Sequence, residues 1–119
     1  MAARRTPLAR LRGICLGLPE AEERETWELP TFRVRGKIFA MAPGGGAEMW
    51  CKAPPGSQAV LVGADPGRFF APPYVGPKGW IGVRLTGGPD WAEVAALVQR
   101  SYRLVTPRRL AAQVAEADA

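Results

Sequence analysis

The sequence lacks histidine and contains only two serines, two cysteines and three lysines. Without imidazole, the chain has no side chain that ordinarily titrates near neutral pH as a general base, and no histidine ligand for a metal. Ser57 and Ser101 stand beside no evident base, which argues against nucleophilic catalysis. Cys15 and Cys51 lie far apart and follow no zinc-binding spacing. We therefore predict a non-enzymatic protein with reduced thiols and no metal or other cofactor.

Long hydrophobic runs are also missing. No uninterrupted apolar stretch approaches the roughly 20 residues of a membrane-spanning helix, and Arg10 and Arg12 interrupt the apolar segment that a secretory signal would need. We expect a cytoplasmic protein with no membrane partner, and we expect a monomer rather than an oligomer. The 119 residues fit a single domain over 1–119, with its core at about 6–110 and a tail at about 111–119.

All of the formal net charge of +5 comes from the middle of the chain. Residues 29–89 contain seven basic and two acidic side chains, whereas the charges of the two flanking segments cancel. The strand signals lie in this same middle region. Because a sheet with a net positive field attracts polyanions, nucleic acid is the first class of partner to consider.

Helical patterns are clearest near the two ends of the sequence. Thr6 followed by Pro7 predicts the start of a first helix. Asp90 is placed to cap a longer helix, with Glu93 reaching back to it in a capping box. Tyr102 lies on the apolar stripe of that helix, and a short C-terminal helix is predicted after it. A further short helix or turn is expected at 57–63.

The intervening segments predict strands. The run 31–41 is typical of a hairpin with a two-residue turn at Arg35-Gly36. If Val34 pairs with Lys37, strict alternation places Met41 on the core face of the sheet. Further strands are predicted at 48–53 and 80–85, and the acidic segment 20–28 is interpreted as a solvated loop. Together these elements predict an α/β (α+β) domain in which N- and C-terminal helices pack on one face of a single antiparallel sheet.

Basic and aromatic residues alternate onto the other face of the predicted sheet. The candidates there are Arg33, Trp50, Lys52, Trp80 and Arg84. Basic side chains neutralise phosphates, and an exposed indole stacks on a nucleic-acid base for roughly 1–3 kcal/mol. Arg35 and Lys37 at the hairpin tip, with Lys78 further along, add cations for a phosphate backbone. The alternative is that the two tryptophans pack beneath the irregular segment 69–79.

Four segments in order resemble the MmcQ/YjbR family. They are LPEAEE at 18–23, FRVRGKIFA at 32–40, PPYVGPKGWIGV at 72–83 and SYRLV at 101–105. The likeness runs from about residue 14 to residue 110. It implies a CyaY-like α/β fold, and it implies the double-wing DNA-binding function after which members are commonly named.

The sequence departs from one branch of that family. Members of the branch place histidines and an asparagine around the tryptophan that corresponds to Trp80, and here the stretch 74–80 has none. No role that depends on imidazole is therefore carried over. The likeness to frataxin-like folds also raises iron binding by fold-level analogy, for which the acidic segment 20–28 is the sole local support.

Two functional hypotheses follow. The first is a protein that binds DNA or another polyanion weakly, at about 10⁻⁴–10⁻⁶ M with strong salt dependence, through Arg33, Arg35, Lys37, Lys52 and Arg84. The second is a module that binds a protein or a small anionic ligand in a cleft near residues 69–80. Tryptophans that enclose an apolar pocket would favour the second hypothesis, whereas tryptophans exposed among the cations would favour the first.

Overall fold

The computed structural model describes residues 6–115, which form a sheet with helices on one side. The strands are β1 (Ala21–Thr26), β2 (Leu29–Val34), β3 (Lys37–Met41), β4 (Glu48–Cys51), β5 (Phe69–Phe70) and β6 (Ile81–Arg84). The helices are α1 (Pro7–Leu16), α2 (Ser57–Ala64), α3 (Trp91–Val105) and α4 (Arg108–Ala115). The strands are antiparallel and lie in the order β1-β2-β3-β4-β6-β5.

The main core lies between this sheet and the helices α1, α3 and α4. Its buried members include Leu11 of α1, Val98 of α3 and Leu110 of α4, packed with Phe32 and Ile81 of the sheet. This arrangement confirms the predicted α+β architecture with terminal helices on one face. We call the opposite side of the sheet the open face.

The helix caps follow the sequence signals in part. The Thr6 hydroxyl accepts a hydrogen bond from the Ala9 N–H at 3.1 Å, and Asp90 Oδ1 accepts from two N–H groups in the first turn of α3. The predicted capping box is wrong, because the Glu93 carboxylate binds Arg68 instead of the backbone at Asp90. A nearby guanidinium competes successfully for that carboxylate because the pair is charge-assisted.

The acidic segment is an edge strand, so its interpretation as a solvated loop was wrong. It forms β1, which pairs with β2 from Ala21–Val34 to Thr26–Leu29 across a turn at Trp27 and Glu28. Alternation along β1 sends its acids to both faces, and two of them, Glu22 and Glu23, form ion pairs with arginines. Glu23 accepts two hydrogen bonds from the Nε of Arg12 and one from its Nη2. Charged side chains on an edge strand discourage pairing with another chain.

The hairpin between β2 and β3 has the predicted turn. Arg35 and Gly36 occupy its two positions with φ of 51° and 80°, and Val34 pairs with Lys37. Two consecutive left-handed residues are typical of a type I′ turn, whose twist matches that of the flanking strands.

Beyond this turn, the paired part of β3 contains one residue more than the stretch of β2 that it faces, with 37–41 opposite 31–34. The register shifts between Arg33 and Phe32, which leaves Phe39 without a partner on β2. A bulge of this kind exchanges the faces of the residues that follow it. Met41, predicted for the helix-side core, therefore packs on the open face, and Ala40 takes the core side.

A buried serine secures the bulge. Ser101 of α3 has no exposed surface, and its hydroxyl donates to the carbonyl of Phe39 at 2.6 Å while accepting from the backbone N–H of Lys52 at 2.9 Å. Lys52 directly follows β4, so one side chain joins α3 to two strands. The sequence prediction omitted Ser101, although its spacing from Val94 and Val98 places it on the buried stripe of the helix.

The helical layer ends with α4, whose Leu110 and Val114 are buried. The tail expected from about 111 begins within this helix, and residues 116–119 lie outside the described part of the chain.

Tyr102 belongs to the core, where its ring meets Phe39 edge-on with 5.4 Å between centroids. No helix within residues 6–115 is long and apolar enough to cross a bilayer.

Candidate functional site

The open face carries a second apolar cluster. Met41, Trp50 and Trp80 are buried at its centre, with 4%, 8% and 8% of their surfaces exposed. Phe70 and Val75 are among the residues that pack around them. The two tryptophans are therefore not exposed for stacking on nucleic-acid bases, which was one of the two placements that the sequence left open. They pack beneath the segment 69–79, which is the alternative considered from the sequence.

An open cleft of about 500 Å³ lies against this cluster, and we call it the aromatic cleft. Its lining residues are all apolar or aromatic: Trp27, Leu29, Met41, Trp50, Tyr74 and Val75. The volume falls in the range of small-molecule sites, which is roughly 300–1,000 Å³. The cleft lies beside the segment 69–80, in the region named for a ligand site, but the β1–β2 turn and β2 supply its other wall through Trp27 and Leu29.

Two exposed aromatic residues border the cleft. Trp27 and Tyr74 are 74% and 86% exposed, and their backbones adopt left-handed φ values of 54° and 65°. A left-handed conformation costs a residue with a side chain on the order of 1 kcal/mol. For Trp27 this conformation belongs to the two-residue turn that it forms with Glu28 (φ 62°) between β1 and β2, and neither ring recovers the cost by burial. Trp27 was not predicted as a site residue, because a turn at this position is evident only if 20–28 is a strand.

The wall that carries Tyr74 and Val75 is held in place by hydrogen bonds. Gln58 of α2 donates its amide Nε2 to the carbonyls of Gly76 and Trp80, at 2.8 and 2.6 Å. The Gly76 N–H also donates to the Pro72 carbonyl at 2.9 Å. Irregular backbone is thus attached to a helix on one side and to β6 on the other, which keeps this wall of the cleft in position.

The floor of the cleft is fixed by one polar contact and one close approach. Trp50 donates its indole N–H to Glu48 Oε1 at 2.8 Å. Gly82, the neighbour of Trp50 on β6, has Phe70 directly over it, and a Cβ there would lie 2.3 Å from that ring. Arg84 stacks on the same ring, 4.6 Å from its centroid. The rings of the cluster are therefore held from several sides.

The predicted phosphate-binding cations do not form one free surface. Arg35 makes a two-contact ion pair with Glu20, at 2.9 and 3.2 Å, and this hydrogen bonding lowers the pKa of the Glu20 carboxyl. Lys37 is exposed beside it at the hairpin, and Lys78 is exposed in the 3₁₀ turn 76–78. Lys52 is half-buried after β4.

Arg33 does not line the aromatic cleft, but its guanidinium reaches the strand pairs at the edge of the cleft. Its Nη2 donates to the Thr26 hydroxyl at 2.8 Å, and its Nε lies 3.4 Å from the Thr31 hydroxyl. Those threonines are the strand partners of Leu29 and Met41, two of the lining residues. Of the eight predicted site residues, the structure thus brings four to the open face: Arg33, Trp50, Trp80 and Arg84. The two tryptophans are buried there, whereas Arg33 is half-buried and Arg84 is exposed.

A second groove, of about 420 Å³, is polar. It lies between the β5 and β6 ends and the start of α3, and Arg68 and Arg84 contribute to its lining. Arg68 is already bound by Asp65 and Glu93, and Arg84 is held over Phe70. Arg68 is thus engaged by carboxylates of the protein, whereas the side chain of Arg84 remains exposed.

The two cysteines belong to the buried core, and three acids of the segment 20–28 form ion pairs. Both cysteines are buried and free, and burial raises the pKa of the Cys51 thiol to about 12, which keeps it protonated and unreactive. Within residues 6–115, no group of three or more cysteine and acidic side chains is arranged to hold a metal ion. Three of the five acids in the segment that suggested iron by analogy, Glu20, Glu22 and Glu23, form ion pairs with arginines.

The comparisons with known proteins agree with this fold. The structure is similar to the crystal structure of protein DR2400 of Deinococcus radiodurans, which carries the family-model domain DUF419. The TM-score is 0.76 and the identity 21%, over 94% of this chain and 92% of that one. No curated protein matches the sequence. The family model YjbR matches residues 16–104, which is more than half of the sequence and includes both walls of the aromatic cleft, and the chain therefore belongs to the YjbR family.

Proposed function

We propose that the protein is a non-enzymatic binding module for a small molecule with a planar aromatic body, which it holds in the aromatic cleft. The observation that carries this proposal is the pair of exposed rings, Trp27 and Tyr74, beside a cleft lined only by apolar and aromatic side chains. Exposed aromatic residues next to a preformed apolar pocket are typical of ligand sites.

The chemistry of the lining defines what fits. Indole and phenol rings favour stacked or edge-on contacts with another ring, and Met41 adds a thioether that packs well against aromatic groups. A bicyclic ligand that removes about 200 Å² of apolar surface from water gains about 5 kcal/mol at roughly 25 cal/mol per Å², before the cost of association. Taken alone, this gain corresponds to a dissociation constant no lower than about 0.2 mM, so micromolar binding requires contacts beyond apolar burial.

The proposal predicts binding of a neutral aromatic probe, N-phenyl-1-naphthylamine, with a rise in its fluorescence. The double variant Trp27→Ala/Tyr74→Ala should weaken this binding at least tenfold while leaving stability nearly unchanged, because both rings are largely exposed. Val60→Ala is the matched control, since Val60 is a 68% exposed apolar residue of α2 outside the cleft. Equal affinities for the double variant and the control would refute the proposal.

Nucleic-acid binding is a second candidate, favoured by the positive surplus of residues 29–89 and by the exposed Lys37 and Lys78. Because Trp50 and Trp80 are buried, their rings do not stack on bases, so phosphate contacts would have to supply the affinity for nucleic acid. Such binding is weak and falls steeply with salt.

Fluorescence anisotropy of labelled single- and double-stranded DNA tests the second candidate. If it is correct, dissociation constants at low salt should lie near 10⁻⁴–10⁻⁶ M and rise with ionic strength. The variant Arg33→Gln/Lys37→Gln/Lys52→Gln/Arg84→Gln, checked for folding, should then lose binding. Absence of binding at low salt, or full retention by this variant, would exclude the DNA hypothesis in this form.

A further inference from the structure

The charge of Arg33 has no acidic partner in the part of the chain that the structure describes. Ion pairs hold Arg12, Arg24, Arg35 and Arg68. Arg33 instead contacts hydroxyl groups, which do not offset its charge. It is half-buried, so solvent screens it less than it screens an exposed side chain.

The acid that pairs with Arg33 in the strand register does not neutralise the charge of Arg33. Glu22 lies directly opposite Arg33 on β1, but its carboxylate is 3.1 Å from the Nε of Arg24. The three side chains together carry one net positive charge. A second carboxylate, Glu48, is bound by the indole of Trp50. The strand order places β1 and β2 on one side of the open face and β4 on the other, so the unneutralised charge of Arg33 lies on the β1–β2 side of the aromatic cleft.

The guanidinium is also positioned to receive a ligand. Its contacts to Thr26 and Thr31 use Nε and one hydrogen of Nη2, which leaves Nη1 and the second Nη2 hydrogen available. The two hydroxyls orient the planar group beside the strand pairs that bring Leu29 and Met41 to the cleft. A guanidinium presented in this way matches the two oxygens of a carboxylate, sulfonate or phosphate group.

We infer that the ligand of the aromatic cleft is an aromatic acid, whose planar body lies between Trp27 and Tyr74 and whose anionic group binds Arg33. This inference rests on the proposed function and adds the charge and the orientation of the ligand. It makes Arg33 a specificity-determining residue, which selects an anionic ligand over a neutral one of similar shape.

The test compares two probes that share a naphthalene and phenylamine body. The first, 1-anilinonaphthalene-8-sulfonate, is anionic, and the second, N-phenyl-1-naphthylamine, is neutral. We expect the anionic probe to bind the native protein at least fivefold more tightly at low ionic strength, and we expect added salt to reduce this preference. Arg33→Gln should remove the preference and leave the affinity for the neutral probe within twofold.

Two further variants separate charge from structure. Arg33→Lys should retain much of the preference, because the cation remains, even if the hydroxyl contacts are rearranged. Arg24→Gln removes an exposed arginine of the neighbouring strand, frees Glu22 and should reduce the preference only in part. Binding of both probes with equal affinity, unaffected by Arg33→Gln, would overturn the inference and leave the aromatic cleft intact. Binding of neither probe would instead refute the proposed function.

Discussion

Replacing Gly46 with alanine is expected to destabilise the protein by about 3 kcal/mol or more. Gly46 is buried in the turn between β3 and β4, with φ of 94°. A Cβ built there would lie 2.6 Å from Leu8 Cβ and 3.0 Å from Leu8 Cα. Because the second contact is to backbone, it cannot be relieved by a rotamer change, and α1 would have to move away from the sheet.

Gly45→Ala is the matched control for this prediction. Gly45 also has a left-handed φ, 69°, but a Cβ at this position would meet no atom within 4 Å beyond its immediate chain neighbours. It should therefore show only the conformational cost, about 1 kcal/mol. Urea unfolding followed by tryptophan fluorescence measures both free energies. Equal losses for the two variants would show that α1 does not pack against the turn as the structure describes.

Removal of the Ser101 hydroxyl is expected to cost about 2–4 kcal/mol of stability. Ser101→Ala leaves the Phe39 carbonyl and the Lys52 N–H without the partner that they share in a fully buried position, and each unsatisfied buried group costs about 1–3 kcal/mol. Since Phe39 is the bulged residue whose position sends Met41 to the aromatic cleft, binding of the neutral probe should weaken as well.

Thr106→Ala provides the comparison for this second prediction. The Thr106 hydroxyl donates to the Tyr102 carbonyl at the end of the same helix, but the residue is partly exposed, so water can replace the bond. Its loss should cost less than about 1 kcal/mol. A cost for Ser101→Ala no larger than that of Thr106→Ala would contradict the role assigned to the buried hydroxyl.

Local signals in the sequence were sufficient to predict the elements whose backbone geometry is set by neighbouring residues. A polar cap followed by proline identified α1, an aspartate cap and apolar periodicity identified α3, and the Arg35-Gly36 turn set the register of the β2–β3 hairpin. In each of these cases the backbone geometry depends on side chains within a few residues.

The features that shape the candidate site depend on distant residues. Strict alternation could not place Met41 correctly, because the bulge at Phe39 is secured by Ser101, 62 positions along the chain. Charge suggested that 20–28 is a loop, because an edge strand can be as polar as a loop when arginines from other elements pair with its acids. With that strand unrecognised, Trp27 had no turn to occupy.

The central claim, that the aromatic cleft binds a small aromatic molecule, is tested most directly by nuclear magnetic resonance of the four tryptophan indole N–H groups in ¹⁵N-labelled protein. Titration with 1-anilinonaphthalene-8-sulfonate should shift the signals of Trp27 and Trp50 in a saturable manner, since both line the cleft. Trp91, which lies beneath Arg10 at the start of α3, should remain unshifted. Shifts confined to Trp91, or no shift of any indole signal at millimolar probe, would contradict the account.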